Sequence, residues 1–118
     1  MHVAMGIGER CGNANLISII ANLQIKMGYE VLPQASLESL TTFASGIADV
    51  ANIPLNRRTP FVGQCAFAHK GGVHTAALMR NRTCYEHIAP EVVGNSQRLL
   101  FSDLAGKSHL AKKAKEWG

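Results

Sequence analysis

The sequence predicts a mainly α protein in two small lobes. Two segments repeat apolar residues at the spacing of an amphipathic helix, and few segments alternate as a half-buried strand does. After these two segments, residues 52–64 hold two prolines and an adjacent arginine pair, which is typical of a connecting loop. With 118 residues, the chain is long enough to bury one modest core.

The first predicted helix runs from Asn13 to Met27. Its apolar residues recur at helical spacing, the asparagines before it are suitable N-caps, and Gly28 is a suitable stop. The apolar set is Leu16, Ile19, Ile20, Leu23 and Met27.

The second predicted helix begins after Ser36, which can cap it, and has Glu38 in its first turn. Pro54 marks its limit. One face carries Leu37, Leu40, Ala44, Ile47 and Ala51.

The second half of the chain is less regular. We expect a loop through Gly72, a short helix over residues 73–80, a turn at Pro90 and a short strand over residues 97–101. A last helix begins near Ser108 and carries part of a lysine cluster. The predicted elements include too few strands to form a large parallel sheet.

The composition is typical of a soluble cytoplasmic protein. The apolar fraction is 47%, yet no apolar run approaches the roughly 20 residues of a membrane span, and "MHVAM" is not a signal peptide. Cys11, Cys65 and Cys84 form no C-x-x-C pair, which argues against disulfides and a cysteine zinc site. We therefore expect reduced thiols, a cytoplasmic location and no membrane partner.

The opening stretch "GIGERCGNANL" has the composition of a binding loop. Gly6 and Gly8 precede a helix, but Gly12 falls one residue too late for the dinucleotide pattern G-x-G-x-x-G, and "MHVAM" is a poor strand. The simplest alternative is an entry loop in which Asn13 caps the helix.

The stretch "FAHKGGVH" places His69 and His74 five residues apart, which matches neither the helical pair nor the finger spacing of a zinc site. His74 stands where the glycines end and a helix begins, a suitable place to present an acid or a base. Tyr85 alone indicates packing. The four arginines nearby can meet phosphate or carboxylate groups, or lie solvated at the surface: Arg57, Arg58, Arg80 and Arg82.

Together, "GIGERCGNANL", "FAHKGGVHTAAL", "CYEHIAPEVVGN" and "LLFSDLAGKSHL" resemble, in that order, blocks of the acyltransferases that condense acetyl-CoA with a 2-oxo acid. This family comprises the 2-isopropylmalate, homocitrate and citramalate synthases. The blocks look most like the citramalate branch, in which the acceptor is pyruvate. The resemblance spans nearly the whole chain.

The resemblance implies an anatomy. In this family a (β/α)8 barrel binds a divalent metal (Zn, Mn or Mg) through an aspartate, an H-x-H pair and the asparagine of the G-E-R-x-G-N loop, here Asn13. It implies that residues 1–30 end the barrel with its metal loop and last helix, and that residues 31–60 and 61–118 form two small helical linker subdomains. One short strand pair is expected. His74 and Tyr85 would reach the active site of a partner subunit in a homodimer.

The chemistry of the family explains these residue types. A divalent cation polarises the keto group of the 2-oxo acid, and a neutral asparagine oxygen suits a hard cation. The acetyl-CoA methyl group loses a proton to form an enolate, a step for which His74 and Tyr85 supply a base and a donor. Because the sequence has no Asp-Arg-Glu block and no H-x-H pair, we expect a fragment that is inactive alone.

Two other classes of function are compatible with the residues. The first is a basic helical module that binds nucleic acid through Lys107, Lys112, Lys113 and Lys115, although no aromatic residues interleave with them. The second is an assembly fragment that dimerises through the apolar faces of its helices. The resemblance favours the enzyme fragment, with small-molecule substrates and no nucleic acid.

Overall fold

A computed structural model describes the chain over residues 2–69, 77–78, 80–81, 86–99, 114–115 and 117. Within these ranges helices predominate, and the strands are two-residue segments in two parallel pairs. The mainly helical class predicted from the sequence is thereby confirmed. No helix in the described ranges has the length and apolar character that crossing a bilayer requires.

The chain opens with strand β1 (His2–Val3), which pairs in parallel with β2 (Ala14–Asn15). A 3₁₀ turn, Ala4–Gly6, and a loop connect the two strands. The first residues are expected to make a poor strand, and only His2 and Val3 of them are paired. Strand formation here depends on a partner twelve residues along the chain, which local propensity does not reveal.

Helix α1 spans Leu16–Ala21 and continues as a π-helical turn, Asn22–Lys26. Its N-cap is Asn15, whose side-chain oxygen accepts from the amides of Ile17 at 3.0 Å and Ser18 at 3.4 Å. The alternative in which Asn13 caps this helix is wrong, because β2 occupies residues 14–15 and delays the first helical turn.

The buried face of α1 differs from the predicted one. Ile17 and Ala21 are fully buried, whereas Met27 is 61% exposed. Leu16 and Ile20 instead line an open apolar groove. Since α1 is apolar on two sides, helical spacing alone cannot tell which side faces the core.

The second predicted helix is divided into α2 (Gln34–Leu37) and α3 (Leu40–Ala51). Ser36 lies inside α2 and is not its cap; Pro33 occupies that position. Helix α3 ends before Pro54, at Asn52 in the left-handed conformation.

The predicted buried face of this region is correct at Leu37, Leu40 and Ala44. Further along α3 the buried residue is Ala48, and Ala51 is exposed. Because α3 begins at Leu40, its buried residues recur at i, i+4 and i+8, which are Leu40, Ala44 and Ala48. Ala51 lies off this stripe and is exposed.

In the second half, β3 (Ala68–His69) pairs in parallel with β4 (Arg98–Leu99), within the range predicted as a strand. The turn predicted at Pro90 is a 3₁₀ helix, Pro90–Val93. Of the predicted short helix over residues 73–80, Ala77, Leu78 and Arg80 are helical, and the other residues lie outside the described ranges.

One hydrophobic cluster takes residues from both sides of the 52–64 loop. Helix α3 meets the 3₁₀ helix through the Thr41 hydroxyl, which donates to the carbonyl oxygen of Val93 at 2.7 Å. The buried members are Ile17, Ala21, Leu37, Leu40, Ala44, Phe61, Val62, Phe67 and Val93.

Candidate functional site

The opening loop closes on itself. The amide of Asn13 donates to Gly6 O at 2.8 Å, and the amide of Gly12 donates to Glu9 O at 2.8 Å. Gly12 has a φ of +95°, and a Cβ atom at this position would overlap Gly6 O. Only glycine fits this backbone, so the loop residues take part in a fixed turn.

Asn13 is half-buried inside this loop. Its Nδ2 donates to the carbonyl oxygen of Ile7 at 3.3 Å. Because a carbonyl can only accept, this contact determines which end of the amide is nitrogen. In the described part of the chain, Oδ1 accepts no hydrogen bond, so the loop presents one neutral oxygen acceptor.

One amide oxygen does not make a metal site. The described residues contain no group of three or more His, Cys, Asp or Glu side chains that could hold an ion. A magnesium or calcium ion takes roughly six or more oxygen ligands. Asn13 therefore fits such an ion only as one ligand among several supplied from elsewhere.

The two candidate catalytic residues, His74 and Tyr85, lie outside the described residues, as do Arg82 and three of the four clustered lysines. The fourth, Lys115, is helical and exposed. The described residues on either side of these candidates include His69, before His74, and Glu86, directly after Tyr85.

Glu86, His69 and Gln97 form a polar group that sequence analysis did not identify, here called the Glu86 cluster. The side chain of Glu86 is 3% exposed and that of His69 is 10% exposed. Glu86 Oε1 lies 3.3 Å from His69 Nε2 and accepts from Gln97 Nε2 at 3.0 Å. A carboxylate only accepts, so His69 donates from Nε2. These contacts offset the penalty of burying the carboxylate.

His87, directly after Glu86, is an exposed residue whose ring contacts two aromatic side chains. Its ring stacks on Phe67 at 6.1 Å and lies tilted against Phe61 at 5.4 Å. Lys26 Nζ donates to the backbone oxygen of His87 at 3.4 Å. Burial and the Lys26 charge lower the pKa of His87, while Glu86 opposes the shift.

Asn95, in the "VVGN" stretch, has a structural role. It is 9% exposed, and its Nδ2 donates to Phe61 O at 2.9 Å and to Gly63 O at 3.0 Å. Its Oδ1 accepts from the amide of Ser96 at 2.8 Å. These bonds satisfy the buried side-chain amide of Asn95 and hold the backbone at residues 61–63 in place.

The predicted arginines are divided by the fold. Arg57 lines an open cleft of about 580 Å³ beside α3, together with Asp49 and Arg98. Arg58 and Arg80 are exposed and do not line that cleft. Of the three predicted arginines that the structure describes, Arg57, Arg58 and Arg80, only Arg57 therefore lines this cleft.

Residues 61–118 match a family model described as "Homocitrate synthase post-HMGL domain-like". The chain is also 57% identical over 113 residues to the (R)-citramalate synthase of Aquifex aeolicus, covering 96% of this chain and 21% of that relative. The (R)-citramalate synthase of Synechocystis sp. is 47% identical over 113 residues, with 96% and 21% covered.

A 2-isopropylmalate synthase of Sulfolobus acidocaldarius is 34% identical over 119 residues, covering 100% of this chain and 30% of that relative. The chain thus spans about a fifth of the length of the citramalate synthases that it matches, at 21% of each of the first two.

Proposed function

The chain belongs to the family of the citramalate, 2-isopropylmalate and homocitrate synthases, and we propose that it is part of an acyltransferase that condenses acetyl-CoA with a 2-oxo acid. The identity of 57% to a citramalate synthase along nearly the whole chain carries this proposal. Identity to the 2-isopropylmalate synthase is lower, at 34%, which favours pyruvate as the acceptor and citramalate as the product.

In this enzyme, residues 1–30 end the (β/α)8 barrel with its last helix, and residues 31–60 and 61–118 are two linker subdomains. The parallel β1–β2 pair followed by α1 supports the first assignment, because barrel strands are parallel and each precedes a helix. The start of the family match at residue 61 supports the second boundary.

His74 and Tyr85 take the proton-transfer roles. His74 is the base that removes a proton from the acetyl methyl group, and Tyr85 donates to the thioester oxygen on which the enolate charge develops. The enolate carbon then bonds to the keto carbon of pyruvate, whose C=O π bond breaks, and the keto oxygen takes up a proton to become the hydroxyl of the citramalyl thioester. Water subsequently hydrolyses the thioester and releases CoA. This assignment rests on the resemblance of the blocks that carry the two residues.

Asn13 is one ligand of the divalent metal, and the other ligands come from parts of the family's barrel that this chain does not span. The Nδ2 contact with Ile7 O supports this role, because it leaves Oδ1 available. When bound, the cation polarises the keto group of the acceptor.

The enzyme is a homodimer that forms through the linker region. Exposed apolar side chains in this region support an interface: Phe43 is 49% exposed, Val50 88% and Ile53 44%. Cys11 and Cys65 are free, and free thiols support a cytoplasmic site of action.

The function is tested by a hybrid in which this chain replaces the matching segment of the Aquifex aeolicus citramalate synthase. We expect CoA release that depends on pyruvate. His74→Ala in the hybrid lowers kcat on the order of 10²-fold or more, because the base is removed. His2→Ala, outside the matching blocks, is the control and leaves kcat unchanged.

Two results would contradict the proposal. A folded hybrid that releases no CoA with pyruvate would remove the assigned reaction. Turnover by His74→Ala close to that of the unmodified hybrid would remove His74 from the base role.

A further inference from the structure

The open cleft beside α3, here called the α3 cleft, is lined by charged side chains from three separate parts of the chain. Its volume is about 580 Å³, within the range of roughly 300–1,000 Å³ that small-molecule sites occupy. Helix α3 contributes Asp49, the loop after it contributes Arg57, and β4 contributes Arg98. The fold therefore brings two guanidinium groups and one carboxylate to a cavity large enough for a small molecule.

Neither guanidinium group is neutralised by a carboxylate in the part of the chain that the structure describes. Among those residues the ion pair joins His69 to Glu86, and neither Arg57 nor Arg98 takes part in one. Asp49 lines the same cleft without pairing with either arginine. Two like charges thus face one cavity, and a bound anion would relieve their repulsion.

Both arginines stand on fixed backbone. The carbonyl oxygen of Arg57 accepts from the amide of Cys65 at 2.7 Å, and the amide of Arg98 donates to Phe67 O at 2.9 Å. A Cβ atom at Gly63 would overlap the same Arg57 oxygen, so this turn is tightly packed. Because residues 65–67 hold both backbones, the two guanidinium groups reach the cleft from set positions, and binding requires little further ordering of the chain.

The charges that line the α3 cleft match a monoanion. The two guanidinium groups supply a formal charge of +2 and Asp49 supplies −1, which leaves +1. The C-terminal end of α3, at Asn52, contributes roughly −0.5 through the helix dipole. A phosphate group, at roughly −1.5 to −2, exceeds this positive charge, whereas a carboxylate is close to it. A planar guanidinium also pairs with a carboxylate through two parallel hydrogen bonds.

Part of the cleft wall is apolar. Ala48, Leu55 and Val62 line it. Val62 is 2% exposed and belongs to the hydrophobic cluster, against which Leu55 packs, so this wall is the outer side of a packed core. Burial of apolar surface favours binding roughly in proportion to the area removed from water. The wall therefore suits a hydrocarbon chain attached to the anionic group.

We propose that the α3 cleft binds a small carboxylate with a short apolar chain. The carboxylate pairs with Arg57 and Arg98, and the chain lies on the wall formed by Ala48, Leu55 and Val62. Asp49 disfavours ligands with a second negative charge. Binding at this cleft goes beyond the proposed function and does not depend on it.

Calorimetric titration with isovalerate (3-methylbutanoate) tests the proposal. The 118-residue chain is titrated, or the hybrid enzyme if the chain alone shows no cooperative unfolding. Arg57→Gln and Arg98→Gln are each expected to raise Kd on the order of tenfold or more, because a hydrogen bond between charged groups is lost. Arg58→Gln, an exposed neighbour that does not line the cleft, is the matched control. It changes Kd by less than about twofold at about 0.15 M salt, where exposed charges are screened.

Two further probes separate the charge of the ligand from its apolar chain. Isovaleramide keeps the shape of isovalerate without the charge, and acetate keeps the charge without the branched chain. Each is expected to bind on the order of tenfold more weakly than isovalerate, or weaker still. Thermal unfolding of each variant shows that Kd refers to folded protein.

The absence of saturable isovalerate binding would overturn the proposal. So would equal increases of Kd in Arg57→Gln and Arg58→Gln, since the attraction would then come from the general positive charge of the surface. Tighter binding of isobutyl phosphate than of isovalerate would refute the assignment of a carboxylate. None of these results bears on CoA release from the hybrid with pyruvate, so the proposed function is tested separately.

Discussion

The hydroxyl of Thr41 on α3 donates to the carbonyl oxygen of Val93, 52 residues away, at 2.7 Å. This bond attaches the long helix to the 3₁₀ helix Pro90–Val93, which lies between Glu86 and Gln97 in the chain. Val93 is fully buried, so water cannot readily replace the donor. The contact is therefore one of the points at which the two halves of the chain are fastened together.

Replacement of Thr41 by valine keeps the shape of the side chain but leaves the Val93 oxygen without this donor. We expect a loss of about 1–3 kcal/mol in the free energy of unfolding, measured by urea denaturation. Thr42→Val, one residue along the same helix at an exposed position, is the control. Equal losses for the two variants would show that the bond contributes nothing.

Gly94 is expected to tolerate no side chain. It has a φ of +73°, and a Cβ atom would overlap Glu38 O. Gly94→Ala should destabilise the fold on the order of 3 kcal/mol, because backbone strain adds to the overlap. Gly28 has a similar φ of +78°, but a Cβ atom there would meet nothing within 4 Å, so Gly28→Ala should lose only about 1–2 kcal/mol. If Gly94→Ala and Gly28→Ala lose similar amounts of stability, the overlap with Glu38 O contributes nothing to the cost.

Stability should fall in mild acid because of His87. The fold lowers the pKa of this imidazole below its usual 6.5, chiefly by burial and then through Lys26. Just below pH 6.5 the unfolded chain therefore binds more protons than the folded chain, and acid favours unfolding. Urea midpoints at about pH 7.5 and about pH 5.5 measure the difference. His87→Phe should reduce it, and an undiminished difference would assign the effect to other groups.

Loss of the Asn15 side chain should lower stability, whereas loss of the Asn13 side chain should raise the metal requirement. Asn15→Ala removes the cap of α1 and should lower stability by about 0.5–2 kcal/mol. Asn13→Ala should instead raise the Mn²⁺ concentration that half-activates the hybrid enzyme, with a smaller effect on stability. The same metal requirement in both variants would remove Asn13 from the ligand set.

Local sequence signals identify the helices but not their boundaries or their buried sides. The cap of α1 is ambiguous in the sequence because two asparagines lie two residues apart, and only the β2 pairing selects Asn15. Its buried side is ambiguous because Leu16 and Ile17 both begin apolar stripes. Tertiary contact decides both points, and a single sequence does not contain that information in local form.

The candidate catalytic residues are predicted from ordered blocks that resemble a family, whereas the Glu86 cluster is not predicted from the sequence. Glu86 contacts His69, 17 residues before it, and Gln97, 11 residues after it. Neither helical nor strand spacing connects residues at these separations. The spacing of His69 and His74 matches no zinc pattern, and the carboxylate that contacts His69 has no sequence signal of its own. Buried pairs between distant loops are determined by the fold.

The hydrophobic cluster contains residues from before and after the 52–64 loop. It therefore affects which exchanges of segments between this chain and its relatives will fold. Phe61, Phe67 and Val93 pack in one core with Leu37 and Ala44, from before the 52–64 loop. A crossover at residue 60 would therefore join halves whose core residues have not been matched to each other. Exchanges that keep residues 17–93 together should yield folded hybrids more often than exchanges that divide them, because the buried members of the cluster run from Ile17 to Val93.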